Sequence, residues 1–245
     1  MERDYNKEAQ SRADKKYDYE FDAIVRYYMM RSFKPFFKGG AALELGCHEG
    51  NSTVMLAEHF SDLTVIEASS EAVEAARRKA PPTVKFVTSM FENFNEDRKF
   101  DAIFLINTLE HLEDPLPALQ RIRSWLAKDG QFFVLVPNAE SPSRQIAVHM
   151  GLIAHNNAVT PGEWEHGHRR TYSFDTLEAD VRKAGFAVRQ RAGLMFKALA
   201  NFQLDKALEA GIIDERYLEG IYALGMQHPA MCASIYLICT HPEAA

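Results

Sequence analysis

Residues 41–50 read Ala41-Ala42-Leu43-Glu44-Leu45-Gly46-Cys47-His48-Glu49-Gly50, an apolar run of strand length that breaks into a loop bracketed by glycines. The run predicts a buried strand, and the residues behind it, 51–60, predict a helix. The alternation continues outward from this unit. Strands are expected at 63–67, 84–87, 100–106, 131–136, 186–191 and 232–240. Helices are expected at 71–79, stopped by Pro81-Pro82, at 116–126, and at 173–183, where Ser173 is a suitable N-cap and Ala184-Gly185 a stop. Short apolar strands alternating with helices of this length imply right-handed crossovers and a parallel sheet covered on both faces. The fold class expected is therefore α/β.

Two stretches interrupt the alternation. Residues 138–172 hold Pro142, Gly151, Pro161, Gly162 and Gly167 together with four of the nine histidines, and predict an irregular insertion carrying one helix. Insertions of that size in a compact domain are usually functional. Residues 194–229 have helical patterning and form a second insertion. Ahead of the first strand, Tyr17, Phe21, Ile24, Val25 and Tyr28 fall on one face of an amphipathic helix. That helix either packs on the sheet edge or covers the ligand cleft with its aromatic groups. The organisation expected is an N-terminal helical lid over 1–38 and one domain over 39–245.

Composition limits the function classes. Hydrophobic residues at 47% and charged residues at 25% are globular values, and the 245 residues suit one core with insertions. No apolar run is long enough to span a bilayer. The first twenty residues carry eleven charges and no apolar core of a secretory signal, and three cysteines are too few for a disulfide framework. A cytoplasmic protein is expected. The net charge of −6 argues against a nucleic-acid partner.

In an open parallel sheet, ligands bind where the strands end. The loop from Gly46 to Gly50 lacks the Gly-x-Gly-x-x-Gly of dinucleotide sites, so a nicotinamide or flavin is not expected. Glu67 closes the second strand, where an acid can hold both hydroxyls of an adenosine ribose or simply be a solvated turn carboxylate. The fourth strand runs into Asn107-Thr108-Leu109-Glu110-His111-Leu112-Glu113-Asp114-Pro115. As a set, Glu44-x-Gly46-x-x-x-Gly50, Glu67, the run from Phe100 to Pro115 and Asp129-Gly130 resemble the class I S-adenosylmethionine-dependent methyltransferases. The likeness covers roughly residues 40 to 137 and extends more thinly through Tyr172 to Phe186.

The resemblance implies a Rossmann-like seven-stranded sheet with an antiparallel last strand, and S-adenosylmethionine as cofactor. It places Glu44, Gly46, Cys47, His48 and Gly50 beneath the methionine part, and Glu67 with Ala68 at the ribose. Met90 and Phe91 would flank the adenine, with Asn107 and Thr108 near the sulfonium. His48 stands where the family often has glycine, and no aspartate follows Met90 to hold the adenine amine. The expected activity is methylation of a small polar molecule, at oxygen on a sugar or secondary metabolite. The alternatives are an RNA methyltransferase and a cofactor-binding partner without turnover.

Alcohol and phenol acceptors need a base, whereas a carboxylate needs none, and histidine titrates in the right range. His168 and His111 are the catalytic candidates. Tyr17, His166, Arg169, Arg170 and Tyr172 are substrate candidates, the two arginines suggesting an anionic substrate. Asn107, Glu110 and His111, with His168 as an optional further member, resemble the Glu-x-x-Glu-His metal motif of small-RNA and ubiquinone O-methyltransferases. Asn107 replaces its first acid, which weakens a divalent site, so no metal is expected. A homodimer through the terminal helices is an open expectation.

Overall fold

The computed structural model describes Asn6 and residues 20–243. In chain order the main elements are α1 (Glu20–Phe33), β1 (Ala41–Leu45), α2 (Asn51–Ala57), β2 (Asp62–Glu67), α3 (Ser70–Lys79), β3 (Lys85–Thr88) and β4 (Phe100–Ile106). They continue with α4 (Pro115–Trp125), β5 (Leu126–Pro137), α5 (Pro142–His149), α6 (Pro161–Glu165) and α7 (Phe174–Lys183). The last are β6 (Ala187–Leu194), α8 (Asn201–Glu209), α9 (Glu215–Gln227) and β7 (Ser234–Thr240).

The strands form one seven-stranded sheet in the order β3-β2-β1-β4-β5-β7-β6. β1, β2, β3, β4 and β5 are parallel, and β7 pairs antiparallel with both β5 and β6. This is the Rossmann-like sheet with an antiparallel last strand that the resemblance implied. Strand order reverses beside β1, between the β2 and β4 sides, so the carboxyl ends of β1, β2 and β4 border one crevice.

Each face of the sheet has its own apolar layer. On one, Phe33 at the end of α1 packs on Phe104, Phe133 and Tyr236, whose rings lie 6.5, 5.2 and 5.1 Å away. Residues of α8 and α9, including Leu204, Leu218 and Tyr222, extend that layer. On the other, Leu119, Ile122 and Trp125 of α4 and Leu177 and Val181 of α7 cover the sheet. The N-terminal helix thus lies on a sheet face, with Phe21 and Tyr28 buried. Tyr17 falls outside the described residues.

Several boundaries differ from expectation, for local reasons. The helix after β1 stops at Ala57, and α4 ends at Trp125 because Leu126 already pairs with Phe100. β5 therefore starts five residues early, and the register jump from Leu126 to Gln131 is taken up opposite Phe100 and Ala102. Gly130 permits that detour, since a Cβ there would come within 2.9 Å of Leu126 and of the Phe100 carbonyl. The first insertion holds two helices, α5 and α6, instead of one. Both begin on prolines, Pro142 and Pro161, which suit the first helical turn. Asp114 caps α4 and Ser173 caps α7 through their side chains. No helix among the described residues is long and apolar enough to cross a membrane.

Candidate active site

Among the described residues, three non-glycine residues have positive φ: His48 at 48°, Asn107 at 47° and Met195 at 63°. They follow the carboxyl ends of β1, β4 and β6. Strained backbone that the surrounding structure holds in place clusters at functional sites. All three lie along the edge where an open α/β sheet binds its ligands.

The loop after β1 is built around its own packing. Gly46 has a φ of 75°, and a Cβ there would fall 2.6 Å from the Thr108 hydroxyl. That hydroxyl donates to the Ile106 carbonyl at 3.0 Å, fixing the turn after β4 beneath the loop. Gly50, at 78°, lets the loop approach α3, where a Cβ would meet the Ala76 Cβ at 2.7 Å. Glu67 ties the loops after β1 and β2 together. Its Oε2 accepts from the His48 N–H at 3.0 Å, and its Oε1 accepts from the Ser69 N–H at 2.9 Å. Each carboxylate oxygen keeps a second lone pair, and the side chain is only partly buried, so a vicinal diol can still be held there. The Asn6 side chain reaches this loop, accepting from the Ser69 hydroxyl at 2.9 Å.

The remaining cofactor candidates divide by exposure. Asn107 is exposed, and His48, Ala68, Met90 and Thr108 are half-buried. Glu44 is 1% exposed and accepts from the Thr53 hydroxyl at 2.5 Å, so it braces the loop from below instead of lining the crevice. Burial pushes its carboxyl up to about 7. Cys47 is buried, its thiol donating to the His48 carbonyl at 3.3 Å and raised in pKa by burial. Phe91 lies in the apolar layer under α4, and its carbonyl accepts from Arg121 Nε at 3.1 Å. Its ring is therefore part of the core.

The second half of the site joins β4 to the first insertion. After Asn107, whose N–H donates to the Leu135 carbonyl at 2.9 Å, the chain makes a tight 3-10 turn over Leu109–His111. The Arg169 N–H donates to the Glu110 carbonyl at 2.8 Å, stitching the end of the insertion onto this turn. The His168 and His111 rings meet edge-to-face, with centroids 4.6 Å apart. His111 Nε2 lies 4.0 Å from Oε1 of Glu110, whose side chain is buried. Ligand atoms of Glu110, His111 and His168 all fall within 4.8 Å of one another, a spacing one divalent ion can bridge. The trio is the set read from the sequence with its optional member His168 included and Asn107 left out. A cavity of about 20 Å³ opens beside it, lined by Glu110, Asn138, Arg144, Glu163, His168 and Arg170.

The other substrate candidates are placed differently. Tyr172 is 2% exposed, and its hydroxyl donates to Asp180 of α7 at 3.1 Å, so it is a core residue. Burial raises its phenol strongly. The Arg170 guanidinium donates to the Leu112 and Glu113 carbonyls at 2.9 and 2.6 Å, while Arg169 stacks over Trp164 at 4.6 Å. The two do not form one anion clamp. His166 turns its Nδ1 to the Gly162 carbonyl. Glu163 meets Arg144, at 2.6 Å. Arg144 was not anticipated. Its signal was an arginine facing the 163–165 acids across the insertion, a distance that no local periodicity encodes.

The model for the methyltransferase domain family matches residues 13–191. The chain belongs to the S-adenosylmethionine-dependent class I methyltransferases. Its fold resembles that of a methyltransferase from Thermotoga maritima described as a possible histamine N-methyltransferase, with a TM-score of 0.65 and 19% identity over 96% of this chain and 98% of that one. It also resembles the N-methyltransferase NodS from Bradyrhizobium japonicum in complex with S-adenosylhomocysteine, with a TM-score of 0.61 and 16% identity over 98% of each chain. Among curated proteins, ubiquinone biosynthesis O-methyltransferase of Actinobacillus pleuropneumoniae is 29% identical over 104 residues, which is 39% of this chain and 44% of that protein. The chain matches less than half the length of the curated relatives. S-adenosylmethionine is the cofactor of this methyltransferase. The residues present fit it: a partly exposed carboxylate with free lone pairs ends β2, and strained, exposed Asn107 ends β4 across the glycine loop.

Proposed function

We propose that this methyltransferase transfers the methyl group of S-adenosylmethionine to an oxygen of a small polar molecule, with the His111–His168 pair accepting the proton. The observation that carries this reading is the ring contact at 4.6 Å between His168, from the far end of the insertion, and His111, just past the sheet edge. The cofactor supplies an already activated methyl group. The chain's residues orient the acceptor so that its oxygen lone pair forms the new bond to the methyl carbon in line with the bond to sulfur. An imidazole nitrogen of His111 or His168 would take the hydroxyl proton, with the electron pair of the methyl–sulfur bond staying on the departing sulfur. A buried carboxylate beside an imidazole stabilises the charge it gains, the part that Glu110 plays here. Relatives named for ubiquinone biosynthesis and trans-aconitate methylation agree with a small acceptor.

A second reading has its own observation. Glu110, His111 and His168 are spaced to hold a divalent ion, which would supply a Lewis acid for the acceptor oxygen.

The test uses methyl-labelled cofactor, purified protein and a fractionated extract of the source cells. Label is expected in small polar molecules and lost with Glu67→Ala. His168→Gln should lower transfer by about 100-fold, within the range of a lost base, while S-adenosylhomocysteine still binds. Transfer that survives chelation favours the base. Transfer lost to chelation and restored by magnesium favours the ion. Label in acid-precipitable RNA would overturn the small-molecule reading.

A further inference from the structure

Lys197 is 8% exposed and lies three residues past the end of β6. β6 runs parallel to β5, since both are antiparallel to β7, so Lys197 leaves the sheet at the same edge as the site. Two hydrogen bonds align the strand ends there: the Asn138 N–H donates to the Ala233 carbonyl at 3.0 Å, and the Ala233 N–H donates to the Met195 carbonyl at 2.8 Å. The chain reaches Lys197 through Met195, a fully buried residue held at positive φ. The Phe196 N–H, donating to the Ile221 carbonyl at 3.1 Å, pins the next step against α9.

The ammonium is poorly satisfied. Nζ donates to the Leu199 carbonyl at 3.0 Å and lies 5.9 Å from the centre of the Phe21 ring, against the first turn of α1. The carboxylates nearby have other partners. Asp22 accepts from Asn201 Nδ2 at 2.5 Å, and Asp205 accepts from the Phe21 N–H at 2.8 Å. Among the described residues no carboxylate comes within ion-pair distance of Nζ. An ammonium has three donors, and a buried charge without a counter-ion is costly. Burial accordingly pushes Lys197 down to about 8, against the attraction of Asp22.

We propose that Lys197 receives a carboxylate group of the methyl acceptor, which makes the acceptor a small carboxylic acid held between the end of β6 and the start of α1. The proposal rests on the methyltransferase reading and adds a substrate class to it. The Leu199 carbonyl takes one ammonium donor, and the two donors left over match the two oxygens of a single carboxylate. A phosphate dianion would add a further negative charge beside Asp22 and Asp205.

The experiment uses protein saturated with S-adenosylhomocysteine and follows thermal unfolding and calorimetry. The probes are acetate, benzoate and citrate, the neutral amides acetamide and benzamide, and inorganic phosphate. At least one carboxylate should bind while the matched amides do not. Its affinity should fall about tenfold or more in Lys197→Met, the loss expected for a charge-assisted hydrogen bond, and recover partly in Lys197→Arg. A carbon-labelled lysine resonance assigned to Lys197 should move with the same carboxylate in the unmutated protein, a readout that needs no variant to fold. Equal binding of acid and amide, binding unchanged in Lys197→Met, binding of phosphate alone, or no binding of any probe would each overturn the proposal. Loss of S-adenosylhomocysteine affinity in Lys197→Met would assign the residue to the cofactor instead. Failure of the unmutated protein to bind S-adenosylhomocysteine would strike the methyltransferase reading itself, a distinct result.

Discussion

Glu44 shows how one buried carboxyl can govern the cofactor loop without facing it. Its side chain is enclosed beneath Gly46 and accepts from Thr53, and burial raises its pKa from 4.5 to about 7. A carboxyl whose pKa rises on folding holds a proton in the folded state at pH values where the unfolded chain has released it. Stability from this group is therefore complete below about pH 4.5 and is lost as pH rises through about 7. The size is about 3 kcal/mol, from 1.36 kcal/mol per pKa unit. Glu44→Gln keeps an acceptor for Thr53 and removes the charge. Its urea midpoint should match the unmutated protein near pH 5 and exceed it at pH 8, with S-adenosylhomocysteine affinity retained. Unfolding curves at the two pH values check this, and an unmutated protein whose midpoint is flat between them would contradict it.

At the scale of elements, the insertion between β5 and α7 is a platform for His168, and Arg144 of α5 organises it. The guanidinium donates to the Asn156 and Ala158 carbonyls and to Glu163 at 2.6 Å. Glu163 also caps its own helix: its N–H donates to the Thr160 hydroxyl at 3.2 Å while its carboxylate accepts from the Thr160 N–H at 2.8 Å. Burial works to raise the Glu163 pKa, but the Arg144 and Thr160 hydrogen bonds outweigh it and hold the carboxyl low. Both side chains of the ion pair are mostly buried, at 13% and 19% exposure, so removing one partner leaves the other poorly solvated. Arg144→Met should cost about 2–3 kcal/mol locally, somewhat below the range for fully buried pairs. Proteolysis within 138–172 should quicken and methyl transfer should drop about tenfold or more, while S-adenosylhomocysteine still binds, because the loops after β1 and β2 lie elsewhere. An insertion that becomes labile while transfer stays intact would remove His168 from the chemistry.

For the molecule as a whole, the sheet was legible because its central strands are buried on both faces. Residues 41–45 and 100–106 read as apolar runs broken once each, by Glu44 and Asp101, for that reason. The strand-end residues Gly46, Glu67 and Asn107 were legible for a related reason: topology alone brings the ends of β1, β2 and β4 to one crevice. What escaped depends on contacts distant in sequence. Tyr172 entered the core because Asp180 of α7 receives its hydroxyl, and Lys197 became buried only when α1 packed against the segment behind β6. The five-residue advance of β5 follows from its pairing with Phe100, invisible in a stretch containing Lys128, Asp129 and Gly130. The crevice at the strand ends unites these levels, since Glu67 bonds to the loops of two strands. Binding there should therefore stabilise the whole cooperative unit by mass action. S-adenosylhomocysteine at 100 times its Kd should add about 2.7 kcal/mol, equivalent to a rise of about 5–10 °C in Tm for a chain of this size. Glu67→Ala should abolish most of that rise while Lys197→Met and Arg144→Met preserve it, since only the first removes a group from the crevice. Thermal melts with and without the ligand make the comparison. A rise that survives Glu67→Ala would move the cofactor away from the end of β2.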